Sequence, residues 1–282
     1  MTTVTTSSTT MSDDVFRQLR DFIYEKTGIY VPDNKKYFLE NRLSRIIKER
    51  NFRNYEDYLN YLKFSATKTD IARLFDAVTT NETFFFREPQ QFDVLANHLI
   101  PQILKENAQM GRKDIKIWSA ACSTGEEPYT IAMILLEKPE LSLIKKEIYA
   151  SDISESVLMS ARKGIYGSYA VRNIPPVYMA KYFKDSGGLY VLSEQVKSMV
   201  KFMNINLIDE KEVRQLKGID VVFCRNVLIY FDDKAKKKAV SLIYDILRPK
   251  GYLFVGTSES LHNITRAFRP VVINKVIVYQ KI

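Results

Sequence analysis

Hydrophobic residues recur at helical spacing through the first third of the chain, then give way to short apolar runs that alternate with helical stretches. Val15, Phe16, Leu19, Phe22 and Ile23 predict a helix over about Asp13–Lys26, with Ser12 as its N-cap and Gly28 past its end. A second helix is expected over roughly Lys35–Arg50. Leu39, Leu43, Ile46 and Ile47 lie on one face of it, Lys35, Arg42, Arg45 and Lys48 on another, and Glu40 and Glu49 offset only part of that charge. Shorter patterns at about Tyr55–Phe64 and Thr69–Val78 complete a small all-α N-terminal domain, residues 13–80. Residues 1–12, opening MTTVTTSSTT, read as a disordered polar tail.

Beyond it, TTNETFFFREPQQF (79–92) fits neither helix nor strand period and reads as a linker, with residues 81–88 offering polar groups to a site while its phenylalanines are buried. A helix from about Gln90 to Leu104, broken at Pro101, leads to a strand at Ile115, Ile117 and Trp118. Small residues (Ser119–Gly125) turn that strand into a helix marked by Ile131, Ala132, Ile134 and Leu135: a βα unit of a nucleotide-binding fold. Ile148, Tyr149 and Ala150 form a second strand ending at Asp152, and Ser154 starts the next helix. Around 175–203 the rhythm breaks into a small antiparallel insertion, with a hairpin turning at Asp185-Ser186-Gly187-Gly188. The pattern then predicts VKFMNINL as a strand, a core strand Asp220–Cys224, a helix Lys234–Leu247, a turn Arg248–Gly251, a strand in GYLFVGTSES, and VVINKVIVYQKI as a final edge strand. The fold class is α/β: a doubly wound, Rossmann-like domain over 89–282, preceded by the helical domain.

Composition narrows the function classes. No apolar run approaches the roughly 18 residues of a spanning helix, and the opening lacks the basic and apolar regions of a signal peptide. Two distant cysteines, Cys122 and Cys224, favour a reducing cytoplasm, and two histidines, His98 and His262, leave little for a metal site or a His-based triad. No metal is expected. The net charge of +9 points to an acidic partner without choosing which.

The turn after the first strand narrows the ligand. A dinucleotide site wants G-x-G-x-x-G and a phosphate-binding helix N-terminus. Here Gly125 stands alone, and Glu126 and Glu127 open the helix, where they would repel phosphates. Two carboxylates suit a phosphate-free, cationic ligand such as S-adenosylmethionine. A capping box, Ser123 with Glu126 or Thr124 with Glu127, explains the same residues. Asp152, ending the second strand, is placed to accept ribose hydroxyls, or to cap a helix.

With these pieces placed, the chain resembles the CheR family, the chemotaxis receptor glutamate O-methyltransferases. TTNETFFFRE, WSAACSTGEEPYTIA, ASDISESVL, INL and FCRNVLIYF stand here in family order, and the match runs from about Asp13 to the C-terminus. The resemblance implies that Asn81, Thr83, Arg87, Glu127, Asp152, Asn206, Leu207, Arg225 and Asn226 contact S-adenosylmethionine, with S-adenosylhomocysteine as product. It implies that Arg87 and Tyr230 lie beside the transferred methyl, and that Arg42, Arg45 and Arg50 face acidic chemoreceptor helices. The enzyme would be a cytoplasmic monomer recruited to membrane receptor arrays, with no nucleic acid and no membrane insertion. The short turn KDSGGLY departs from members that dock a receptor peptide on a longer hairpin loop.

A glutamate acceptor, ionised above about pH 4.3, needs no general base, which suits a chain poor in histidine. A nucleic-acid methyltransferase is the alternative the basic charge allows, but Arg225-Asn226-Val227-Leu228 replaces the Asn/Asp-Pro-Pro-aromatic loop of base N-methylation. A non-catalytic S-adenosylmethionine-binding adaptor is the other.

Overall fold

Ser12 begins the first helix as its sequence predicts: its Oγ accepts the Val15 N–H at 3.3 Å, and Gly28, at φ 76°, closes the other end by donating to Tyr24 O. The structure, a computed structural model, describes residues 10–282. It divides into two units, one ending at Thr80 and the other running Asn81–Ile282.

The first unit holds α1 (Asp13–Thr27), α2 (Lys36–Glu49), α3 (Tyr55–Phe64) and α4 (Lys68–Val78). Leu19, Ile23, Leu39, Leu43 and Leu74 are fully buried between them. Thr67 and Asp70 form a capping box at the start of α4. Met11 is buried, and its N–H donates to Glu40 Oε1 at 2.9 Å. Residues 10–12 therefore belong to the helical unit rather than to a tail, because an apolar side chain here has a core to enter. The expectation for residues 1–9 lies outside the described residues.

The second unit is built on strands β1 (Asp114–Ala120), β2 (Lys145–Asp152), β3 (Ile165–Tyr166), β4 (Phe183–Ser186), β5 (Leu189–Leu192), β6 (Val200–Asn204), β7 (Ile219–Cys224), β8 (Leu247–Phe254), β9 (Phe268–Ile273) and β10 (Val276–Lys281). Seven form one sheet, in the order β6-β2-β1-β7-β8-β10-β9, and β10 alone runs against the direction of the other six. After β1 the chain builds toward β2 and β6, then returns to β7 on the other side. The crevice between β1 and β7 is thus the switch point at which ligands bind in such sheets. Helix α7 (Glu126–Leu136) is buried almost all round, which explains its near-continuous apolar run, and α8 (Glu155–Lys163) starts at the predicted Ser154 cap.

Four expectations change. Pro101 does not break its helix: α5 (Pro89–Val94) passes through a π turn, Leu95–Leu99, into α6 (Ile100–Gln109), placing the proline where a helical N–H is not needed. The insertion is a three-stranded sheet, β3-β5-β4, that starts earlier than 175 and ends at Leu192, while β6 pairs in parallel with β2 in the main sheet. Two residues of β3 are too few to show a period. The turn Arg248–Gly251 is a bulge inside β8, where Ile219 and Val221 pair with Leu247 and Tyr252. The last segment is a hairpin whose outer strand is β9; Asn274 and Lys275, both at positive φ, make its two-residue turn without the glycine that usually marks one.

Candidate active site

The segment after β1 is a tight turn of unusual backbone. Ala121, Ser123 and Gly125 all have positive φ, the first two despite carrying a Cβ. Cross-links hold it there: Cys122 N–H donates to Ser151 O, Ser123 N–H to Asp152 Oδ2 at 2.9 Å, Ser123 Oγ to Asn81 O at 2.9 Å, and Tyr166 Oη to Thr124 O. Gly125, at φ 92°, has a second reason to lack a side chain. A Cβ there would stand 2.9 Å from Ala161 Cβ on α8, so the close approach at this glycine is between helices.

The two glutamates opening α7 divide their roles. Glu126 is buried and accepts Thr124 Oγ1 on both carboxylate oxygens, and burial pushes its carboxyl up to about 7. Glu127 accepts Ser119 Oγ at 2.6 Å on one oxygen and Arg225 Nη1 at 2.9 Å on the other. Burial raises its carboxyl above the ordinary range, and the Arg225 charge opposes that rise. Arg225, whose side chain is only 2% exposed, also donates to Arg87 O at 2.6 Å and pairs with Glu88 at 3.1 Å. At Glu88 burial again works against ionisation, but Arg225 and the Thr257 donors outweigh it and hold the carboxyl low.

Asp152 sits at the end of β2, where its Oδ2 takes the Ser123 N–H and its Oδ1 the Ser154 N–H, each at 2.9 Å. It thereby ties the turn after β1 to Ser154, the residue that caps α8, and each carboxylate oxygen can accept more than one hydrogen bond. Asn206 and Leu207 follow β6. The Asn206 N–H donates to Glu212 Oε2 and its Oδ1 accepts the Ile208 N–H, while Leu207 is buried. In the linker, Asn81 and Thr83 are half-buried, and Arg87 Nη1 donates to Glu82 O with its guanidinium over Phe84. Phe85 and Phe86 are buried, as their linker role requires. After β7, Asn226 takes a positive φ of 58°, and Tyr230 lies half-buried on a 3-10 turn, Leu228–Tyr230.

In the helical unit, the three arginines differ. Arg45 is exposed and pairs with Glu49 at 2.6 Å. Arg42 donates to Thr79 O and Thr80 Oγ1, and Arg50 follows α2 as its C-cap and pairs with Asp70 at 3.0 Å. Asp70, which also accepts Tyr61 Oη and Thr67, has its carboxyl lowered to about 2 by those hydrogen bonds and by Arg50.

Ser119 and Glu88 stand inside WSAACSTGEEPYTIA and TTNETFFFRE without a role of their own in the sequence reading, and Glu259 stands outside every motif. Ser119, Glu88 and Glu259 carry no periodic signal, yet the first two hold the Glu127–Arg225 pair and the third holds the loop after β7. The signal that could have found their partner is Arg225 itself, since a guanidinium ending an apolar strand needs acids or acceptors around it.

Taken together, Glu88, Glu126, Glu127 and Asp152 lie on the loops at the carboxyl edge of the sheet, and two of them, Glu88 and Glu127, pair with the Arg225 guanidinium. That donor set suits the cationic sulfonium and ammonium of S-adenosylmethionine, with Asp152 offering acceptors to hydroxyls, and does not suit a pyrophosphate. Among the described residues no group of three or more His, Cys, Asp or Glu side chains is arranged to hold a metal ion, and no helix is long and apolar enough to cross a membrane.

Comparison with known proteins gives the same reading. A family model described as "CheR methyltransferase, SAM binding domain" matches residues 81–277, and one described as "CheR methyltransferase, all-alpha domain" matches residues 14–79. The chain is 39% identical to Chemotaxis protein methyltransferase 2 of Vibrio cholerae, over 92% of this chain and 89% of that one. It is 38% identical to the Chemotaxis protein methyltransferase of Borreliella burgdorferi over 89% of each, and 34% identical to Chemotaxis protein methyltransferase 1 of Pseudomonas aeruginosa over 94% and 97%. With both domains matched in order, this protein belongs to the CheR family of S-adenosylmethionine-dependent methyltransferases of chemotaxis.

Proposed function

We propose that the acceptor is the side-chain carboxylate of particular glutamates on the cytoplasmic helices of chemoreceptors, and that the product is the glutamate methyl ester. The observation that carries this is the acid-rich carboxyl edge: four carboxylates and one arginine, with no histidine among them. Such a site can hold a cation, and it has neither a histidine nor another nitrogen base to deprotonate an amine or a nucleobase. A carboxylate acceptor needs neither, being ionised and nucleophilic already.

Asn81, Thr83, Arg87, Glu127, Asp152, Asn206, Leu207, Arg225 and Asn226 are the residues that would hold the donor. S-adenosylmethionine, when bound, supplies a methyl group made electrophilic by its sulfonium charge. The chain's own contribution is alignment and exclusion of water. Arg225, committed to Glu88, Glu127 and Arg87 O, acts by fixing Glu127 and the linker. Arg87 and Tyr230 are assigned to the reacting end, Arg87 orienting a carboxylate by charge and Tyr230 by its hydroxyl. Arg42, Arg45 and Arg50 form the surface for the acidic receptor helix, with Arg45 the most available of them. The enzyme works as a monomer in the cytoplasm, comes to the membrane through its receptors, and does not act on nucleic acid.

The test is to incubate the enzyme with methyl-labelled S-adenosylmethionine and a receptor cytoplasmic fragment, then map the label. Label confined to glutamate side chains supports the reading; label on lysine, arginine or nucleic acid rejects it.

A further inference from the structure

Glu259 lies in the loop after β8 and belongs to no motif in the chain. Its carboxylate gathers three main-chain donors. Oε2 accepts the Asn226 N–H and the Gly256 N–H, each at 2.7 Å, and Oε1 accepts the Ile229 N–H at 3.1 Å. Two of these donors follow β7: Asn226 precedes the 3-10 turn Leu228–Tyr230, and Ile229 lies within it, next to Tyr230. The positive φ of Asn226 is thus held by a side chain from the neighbouring strand's loop.

Gly256 is shaped to this contact. A Cβ there would stand 2.6 Å from Asn226 Nδ2 and 2.9 Å from Glu259 Oε2. Thr257, next in the chain, donates from its N–H and Oγ1 to Glu88, the partner of Arg225. One short segment, Gly256–Glu259, therefore braces both the acid–arginine cluster and the Asn226–Tyr230 loop.

We infer that Glu259 is a positioning residue for methyl transfer: it sets the backbone of Asn226–Ile229 and through it the placement of Tyr230. This rests on the proposed role of Tyr230. The arrangement demands a carboxylate. Both oxygens are acceptors here, so an amide in either orientation turns an NH₂ toward a main-chain N–H. Those donors would be left unsatisfied or the loop would move.

The experiment is a double-mutant cycle with Glu259→Gln and Tyr230→Phe, read by methyl-transfer kcat and by hydrogen exchange over residues 225–231. Glu259→Gln should lower kcat by about tenfold or more in the parent enzyme and by less than about threefold when Tyr230 is already Phe, because residues acting as a unit are not additive. Exchange at the Asn226 and Ile229 amides should accelerate while the rest of the sheet keeps its protection. Gly256→Ala attacks the same brace without changing charge and should reproduce both results; it takes the place of Glu259→Gln if that variant does not fold. Equal losses in both backgrounds, or unchanged exchange at those amides, overturn the inference while leaving Tyr230 in its role. A Tyr230→Phe enzyme as fast as the parent removes the role of Tyr230, and the inference with it.

Discussion

Glu127 and Arg225 meet across the switch point of the sheet, Nη1 to Oε2 at 2.9 Å, one from the helix after β1 and the other from the end of β7. The pair links the two chain segments that border the ligand crevice. The Arg225 side chain is 2% exposed and also pairs with Glu88, so among the described residues it is the cation shared by two largely buried acids.

Arg225→Ala should consequently destabilise the protein as well as inactivate it. Removing one partner of a buried ion pair costs about 3–5 kcal/mol, since the remaining charge is left uncompensated. Urea unfolding should show a loss of this order, and Glu127→Gln, which keeps a hydrogen-bond acceptor for Arg225, should lose less.

Tyr230→Phe should separate catalysis from binding. We expect kcat to fall by about tenfold or more with the Kd for S-adenosylhomocysteine changed by less than about threefold, the pattern of a contact made at the reacting end. Calorimetry for the product and initial rates for the reaction give the two numbers. Matching losses in both would make the tyrosine a packing residue.

Acidity should act oppositely on two buried carboxyls. Glu126 rises from 4.5 to about 7 in the folded protein, so the folded state binds its proton more tightly than the unfolded state. Stability from this group is full below pH 4.5 and is lost as pH climbs to about 7. Asp70 falls from 3.8 to about 2, so its contribution is present above pH 3.8 and is lost as pH drops through about 2. Urea midpoints of Glu126→Gln should therefore change less between pH 5 and pH 8 than those of the parent, both values lying about the Glu126 window.

Charge reversal at Arg45 should raise the receptor KM and leave cofactor affinity alone, since its guanidinium is exposed and tied only to Glu49. Arg50 is a poor probe of docking. It holds Asp70 in the first turn of α4, so Arg50→Glu should lower the melting temperature before it informs on the receptor. Steady-state kinetics on receptor fragments, with a melting curve for each variant, distinguishes the two.

Much of this architecture was legible in the residue pattern, and the failures have physical causes. Helices α1–α4 follow from apolar spacing and from caps at Ser12 and Gly28, which are local signals. The turn after β1 and the acid ending β2 are also local, so Glu127 and Asp152 could be picked out in advance. The partners of those residues could not. Ser119, Glu88 and Glu259 reach the site from separate elements, and nothing in a linear pattern says that Glu259 will meet Asn226 across two strands. The π turn before Pro101 and the Asn274-Lys275 hairpin were missed for a related reason. In each the backbone adopts a less common geometry that tertiary packing sustains and local preference does not announce.

The chemistry stands or falls with a carboxylate as the acceptor of the methyl group. The most direct measurement is alkaline treatment of chemoreceptor membranes after incubation with the enzyme and methyl-tritiated S-adenosylmethionine. A glutamate methyl ester predicts that the label leaves as volatile methanol and that replacing the acceptor glutamates abolishes it. Label that stays on the protein through alkali, or appears in nucleic acid instead, would rule out a carboxylate acceptor.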